Sequence, residues 1–224
     1  MIPAKPRSYG KVKLPSREDA LRRLEDFPPS YRSLRAHALM TRDVSLEIAR
    51  QLKENGVQVN EEMLQVAHPV RARVKMVMEA FNAASKRGAI DERDPLKLRA
   101  HAARALGKIV GKASPALGEM VSKYYALDNP AILKGLKAED FPFLAAGYLT
   151  RGERKAGGSY SHAVVSSREA LEILKKEQPG HDALLEGEYR ECVLPLLQWL
   201  ENNGVDFKKI RLQANKRIRR GDYY

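Results

Sequence analysis

The clearest indication of the fold of this chain is a row of apolar and small residues spaced alternately four and three positions apart. Side chains at such spacings share one face of an α-helix, so the row predicts a long helix over about residues 31–54 with one buried face. Asn55-Gly56 follows it, and glycine readily takes the left-handed conformation that ends a helix. The row consists of Leu34, Ala38, Thr41, Ser45, Ile48 and Leu52.

Signals for helix starts recur along the rest of the chain. Ser166 followed by Glu169 has the spacing of a capping box. Three further starts combine a cap residue with a proline at the first helical position: Asp94-Pro95, Ser114-Pro115 and Asn129-Pro130. We find no alternation of apolar and polar residues typical of a strand and no repeat of fixed period. The sequence therefore predicts an all-α fold, a single compact domain of many helices joined by short turns.

The two ends and one internal segment depart from this pattern. Residues 1–15 contain three prolines and basic residues without an acidic one, which predicts an extended basic arm. Residues 16–204 form the predicted helical domain. Residues 205–224 form a second basic block in which apolar residues recur every four positions, which predicts a basic amphipathic tail. Residues 151–161 are rich in glycine and are predicted to be a long polar loop.

Charge is the strongest indication of function. The chain carries 40 Lys and Arg against 28 Asp and Glu, a formal net charge of +12. Such an excess attracts polyanions, although a basic surface that only aids solubility explains the bare total about as well. The clustering of the charge at both ends favours binding to a phosphate-rich partner.

Location and redox chemistry follow from what the sequence lacks. No stretch approaches the roughly 20 apolar residues that cross a bilayer, so we expect no membrane partner. The first residues lack the apolar core of a secretory signal, so we expect a cytoplasmic protein. Cys192 is the single cysteine, which excludes an intrachain disulfide and a thiolate zinc cluster.

A family resemblance rests on several segments between residues 31 and 177. These are Leu34–Met40 around His37, Gly56–Asn60, Leu98–Gly107, Pro115–Val121 and Val164–Glu169. In order and in landmarks they resemble the HD-domain superfamily, a helical fold of metal-dependent phosphohydrolases. The resemblance implies an HD-like fold for the domain.

The catalytic residues of that family are only partly matched. The family binds one or two divalent metal ions with a histidine, an adjacent His-Asp pair and a distant aspartate. His37 matches the first histidine, but His68 is followed by Pro69 in place of the aspartate. The helix over 143–150, which should supply the last aspartate, has no carboxylate. The resemblance therefore implies a degenerate member without catalytic residues or cofactor.

In one alternative interpretation, the chain is an active enzyme. In it, His37, His68 and His101 bind a divalent metal such as Mn, Fe, Ni or Zn. Asp43 and Glu47 would replace the lost carboxylates, and the chain would be a phosphohydrolase acting on a nucleotide or another phosphate ester.

Our preferred interpretation is a non-catalytic protein that binds nucleic acid, RNA or a ribonucleoprotein, with Tyr223 and Tyr224 placed to stack on bases. A second alternative is a scaffold subunit, in a protein complex, whose basic surface meets an acidic protein. The predicted phosphate-binding residues are Arg151, Arg154, Lys155, Lys208, Lys209, Arg211, Lys216, Arg217, Arg219 and Arg220.

Overall fold

The computed structural model describes residues 14–28, 31–72, 110–111, 114–124, 129–154 and 160–223, with the backbone alone at 153–154 and 160–161. The helices are α1 (Arg17–Glu25), α2 (Arg32–Glu54), α3 (residues 61–72 of the described part), α4 (Pro115–Tyr124), α5 (Asp140–Leu149), α6 (Ser167–Glu177), α7 (Asp182–Glu188), α8 (Leu194–Asn202) and α9 (Phe207–Arg220). A 3₁₀ turn covers Pro130–Gly135, and a two-stranded hairpin pairs β1 (Thr150–Arg154) with β2 (Tyr160–Val164). The predicted all-α class is confirmed.

The core is built around α5, in which every residue is buried. A helix that is apolar on all sides is stable only when other elements surround it. The long helix α2 packs along α5, and α4, α6 and α8 cover its other sides. The buried face of α2 contains the predicted row from Leu34 to Leu52, so that prediction is confirmed.

Close packing between α4 and α5 depends on one glycine. The Tyr124 hydroxyl donates a 2.9 Å hydrogen bond to the carbonyl oxygen of Gly147. A Cβ atom on Gly147 would lie 2.2 Å from the Tyr124 ring, which is closer than atoms can approach. Glycine at this position therefore lets the two helices meet.

Several predicted helix starts are present. The Ser166 hydroxyl accepts from the Glu169 backbone N–H at 3.3 Å, and the Glu169 carboxylate accepts from the Ser166 N–H at 2.8 Å, which completes the capping box of α6. Helix α4 begins at Pro115, and Asn129 caps the 3₁₀ turn. Asp94-Pro95 lies outside the described residues.

The prediction of a polar loop without strands at 151–161 was wrong. The two ends of this segment pair with each other as an antiparallel hairpin, with Thr150 opposite Val164 and Gly152 opposite His162. Thr150, His162 and Val164 are buried, so an inward-facing alternation does exist. Glycines and charged residues between them hide it in the sequence, because they have low intrinsic preference for strands.

The described part of the predicted tail, residues 205–223, packs onto the domain. In α9, Ile210 and Ala214 are buried, and Gly221, with φ at 81°, ends the helix in the left-handed conformation. Between α7 and α8, residues Tyr189–Val193 form a wider π turn. Pro195 follows this turn, and its nitrogen cannot donate a hydrogen bond to the carbonyl four residues earlier. In the part of the chain that the structure describes, no helix is long and apolar enough to cross a membrane.

Candidate nucleic-acid interface

Strand β2 of the hairpin packs against the basic helix α9. The Asn215 side chain on α9 bonds to the end of β2, where its Nδ2 donates a hydrogen bond to the Val164 carbonyl oxygen at 2.8 Å. Its Oδ1 accepts from the Val164 N–H at 2.9 Å. These bonds hold β2 against α9.

Most apolar residues of helix α9 face the protein and most of its basic residues face outward. Phe207, Ile210, Ala214 and Ile218 pack inward, toward α2 and the core. Five exposed cations occupy the outer faces and make no ion pair with any residue in the described ranges. We call them the outer cations of α9: Lys208, Lys209, Lys216, Arg219 and Arg220.

The outer cations form an extended row on a fixed support. With a rise of about 1.5 Å per residue, the helix spans roughly 18 Å from Lys208 to Arg220. Leu212 lies among them on the outer surface and is 60% exposed. Such a row can face several successive phosphates of one nucleic-acid strand.

Two cations predicted to bind phosphate form ion pairs with carboxylates of the same chain. Arg211 forms an ion pair with Glu169 at 3.3 Å. Arg217 forms one with Asp43 at 2.9 Å and another with Asp222 at 3.5 Å. Both arginines join α9 to the domain or to its own end, so they are less available to an external anion than the outer cations.

Only one of the three hairpin cations predicted to bind phosphate has a described side chain. The guanidinium of Arg151 lies 5.0 Å from the centre of the Tyr148 ring, so this side chain turns toward α5. Its Nε atom is buried without a hydrogen-bond partner in the described part of the chain. Only the backbone of Arg154 is described, and Lys155 lies outside the described residues.

The prediction that Tyr223 stacks on bases was wrong. Its side chain is 8% exposed and packs against Ala36 and Met40 of α2. Burial raises the pKa of its hydroxyl to about 12. Arg217 lies 5.1 Å from the centre of the ring, so the tyrosine anchors the end of α9. Tyr224 lies outside the described residues.

The histidines named for a metal have different neighbours. The His37 ring lies 5.4 Å from that of His162, on β2. His68 is buried with its ring 4.6 Å from that of Phe143, and neither of its nitrogens has a hydrogen-bond partner in the described ranges. His101 lies outside those ranges. Within them, no group of three His, Cys, Asp or Glu side chains is arranged to hold a metal ion.

The surroundings of His68 do not suit a divalent cation. Burial, together with the charges of Arg71 and Arg42, holds the pKa of this imidazole well below its usual value. The same positive charges would repel a metal ion. The proposed replacement carboxylates are also engaged, since Asp43 pairs with Arg42 at 2.7 Å and Glu47 with Arg50 at 2.6 Å.

Sequence reasoning missed Asn215 and the exposed position of Leu212. Both residues lie in the segment 205–224, where Asn215 follows Arg211 by four positions and Leu212 follows Lys208 by four positions. The sequence does not show that Asn215 bonds to the end of β2.

Comparisons with models of protein families, with curated proteins and with solved structures give no significant match to this chain. The resemblance to the HD-domain superfamily therefore stays a prediction that rests on the sequence segments named above.

Proposed function

We propose that this chain is a non-catalytic helical protein that binds nucleic acid, as RNA or as a ribonucleoprotein, through phosphate contacts made by the outer cations of α9. The observation that carries the proposal is that these side chains are exposed and unpaired within the described ranges. Arg211 and Arg217 of the same helix are neutralised by partners in the fold. Unpaired cations repel one another, so the fold itself gains nothing from clustering them.

Counterion release gives this surface its affinity. Each phosphate that a cation neutralises releases a condensed counterion, so binding weakens steeply as salt is added. Phosphate contacts fix the position of the strand but do not distinguish one sequence from another. We therefore expect strong dependence on salt and weak dependence on base sequence for the contacts made by α9.

The test compares two variants that lose the same charge from different surfaces. In the α9 variant, Lys208, Lys216, Arg219 and Arg220 are replaced by glutamine. In the control variant, four exposed cations on other elements are replaced in the same way: Arg23, Lys134, Lys176 and Arg190. The affinity of each for a labelled RNA hairpin is measured by fluorescence anisotropy across a range of salt concentrations.

For the wild type, the logarithm of the affinity should fall linearly with the logarithm of the salt concentration, with a slope of about −3.5 to −4.5 for roughly five contacts. The α9 variant should bind weakly with a slope flattened by about 3, and the control should match the wild type closely. Equal losses in both variants would show that only total charge matters. Salt-insensitive binding would contradict the proposal. A native complex that survives nuclease treatment would favour an acidic protein as the partner.

A further inference from the structure

A groove of about 410 Å³ lies between α2, α3 and α9, beside the outer cations. Its floor is apolar and consists of Val44, Leu46, Ile210 and Ala214. Sites for small ligands have volumes from about 300 Å³ upward, so the groove is at the small end of that range. We call it the α2–α9 groove. Its volume suits a single ring system better than a long chain.

The groove adjoins part of the cation row. Successive residues of a helix are turned by about 100°, which places Lys209, Lys216 and Arg220 next to the strip of α9 that lines the groove. Lys209 also lowers the pKa of the Glu47 carboxyl, on the opposite wall, by its charge. The main cause of that lowering is the hydrogen bond from Arg50. A phosphate held by these cations would therefore lie at the rim.

The groove itself is close to electrically neutral. Its three carboxylates are each paired with a cation: Asp43 with Arg217, Glu47 with Arg50, and Glu61 with Lys53. A lining of this kind has no excess charge with which to attract an ion. It favours a neutral ligand.

Two side-chain amides in the groove are available to bind a ligand. Gln65 of α3 and Gln213 of α9 line the groove from opposite helices, and no hydrogen bond joins either side chain to a residue of the described part. An amide offers both donors and an acceptor, which is what the edge of a nucleobase requires. The guanidinium groups of Arg50 and Arg217 add planar surfaces on which a base can stack.

We propose that the α2–α9 groove binds one unpaired base of the nucleic acid whose phosphates lie on the outer cations of α9. This inference rests on the proposed function. The apolar floor covers the face of the base, the two glutamines bond its edge, and the backbone on either side stays at the rim. The protein would then prefer RNA with a bulged or single-stranded nucleotide to fully paired RNA.

The experiment uses the full chain and two RNA hairpins that differ by one bulged nucleotide. The wild type is compared with Gln213→Leu, with Gln65→Leu/Gln213→Leu, and with Gln198→Leu as a control at an exposed glutamine on α8. Leucine keeps much of the side-chain volume but removes the amide. Gln213 is itself exposed, so the single variant tests the groove even if the double variant folds poorly.

The wild type and the control should bind the bulged hairpin about tenfold more tightly than the paired one, since base stacking contributes at least that factor in many proteins. The glutamine variants should bind both hairpins alike, with the salt slope unchanged. Equal binding of both hairpins by the wild type would overturn the groove proposal and leave the phosphate contacts standing. If the affinity of the wild type did not depend on salt concentration, the proposed function would be wrong, and this inference would be wrong with it.

Discussion

Two charged regions of this molecule use the same residue types in opposite ways. Where α4 meets α5, the Lys123 ammonium lies 2.7 Å from the Asp140 carboxylate and 2.9 Å from that of Glu119. Lys123 also donates to the Gly135 carbonyl at 3.2 Å. Its side chain is 11% exposed and that of Asp140 is 2% exposed. On α9, by contrast, the outer cations face solvent.

The contrast shows how burial and pairing assign a role to a charge. A buried ammonium must be paired, because its desolvation costs several kcal/mol when no partner compensates it. An exposed ammonium keeps its hydration and has little effect on folding, so it remains able to exchange counterions with a polyanion. We therefore expect substitutions in the α4–α5 network to affect stability and substitutions on α9 to affect binding.

The largest effect should come from Lys123→Met. Loss of the ammonium leaves Asp140 buried without its cation, and breaking a buried pair in this way costs about 3–5 kcal/mol in the free energy of unfolding. Urea denaturation followed by circular dichroism measures it. Lys53→Met provides the matched control, because the Lys53–Glu61 pair has a similar length, 2.8 Å, with side chains 47% and 36% exposed.

The control should lose less than about 1 kcal/mol, as exposed pairs do. Adding Asp140→Asn to Lys123→Met should recover part of the loss, because asparagine removes the uncompensated charge and keeps an oxygen for the Lys137 N–H. Similar losses in the buried and the exposed lysine variants would contradict the comparison.

A smaller effect on the free energy of unfolding, which varies with pH, should come from Glu139→Gln. Burial raises the pKa of the Glu139 carboxyl from 4.5 to about 7, and the neighbouring Asp140 carboxylate adds to the rise. The folded state thus holds this proton more tightly than the unfolded state. The stability that the protonated carboxyl contributes is fully present below pH 4.5 and is lost as pH rises through about 7.

Glutamine resembles the protonated acid at every pH. The free energy of unfolding of the variant minus that of the wild type should therefore grow by roughly 2–3 kcal/mol between about pH 5 and 8. Denaturation at the two pH values measures the difference. A constant difference would show that Glu139 titrates normally in the folded protein.

The smallest effect on stability should come from the α9 variant, in which Lys208, Lys216, Arg219 and Arg220 become glutamine. All four side chains are exposed and unpaired within the described ranges, so the free energy of unfolding should change by less than about 0.5 kcal/mol. Relief of mutual repulsion would make the change slightly stabilising. A loss of several kcal/mol would show that these cations serve the fold.

Much of the fold was predictable because its signals are local. The spacing of Leu34 and Leu52 predicted α2, and Ser166 with Glu169 predicted the start of α6, since both depend on residues within a few turns of a helix. The hairpin was not predictable in this way. Its strands are five residues long, contain Gly152, and depend on contacts with α2 and α9.

The candidate site was predictable in outline only. Seven cations between residues 208 and 220 identified the segment. The sequence did not show that Arg211 and Arg217 are neutralised by Glu169 and Asp43, because these partners lie 42 and 174 positions away along the chain. The burial of Tyr223 against α2 depends on a similarly distant contact.

The amino-acid sequence is sufficient to indicate the helical class, the amphipathic character of α2 and α9, the caps, and the total charge of +12. These properties follow from composition and from interactions between near neighbours in the chain. The three-dimensional fold is needed to show which cations are paired, which aromatic rings are buried, and that a groove opens beside α9. Each of these depends on which distant residues are brought into contact, because a charge or a ring acquires its role from the partners that exclude water around it.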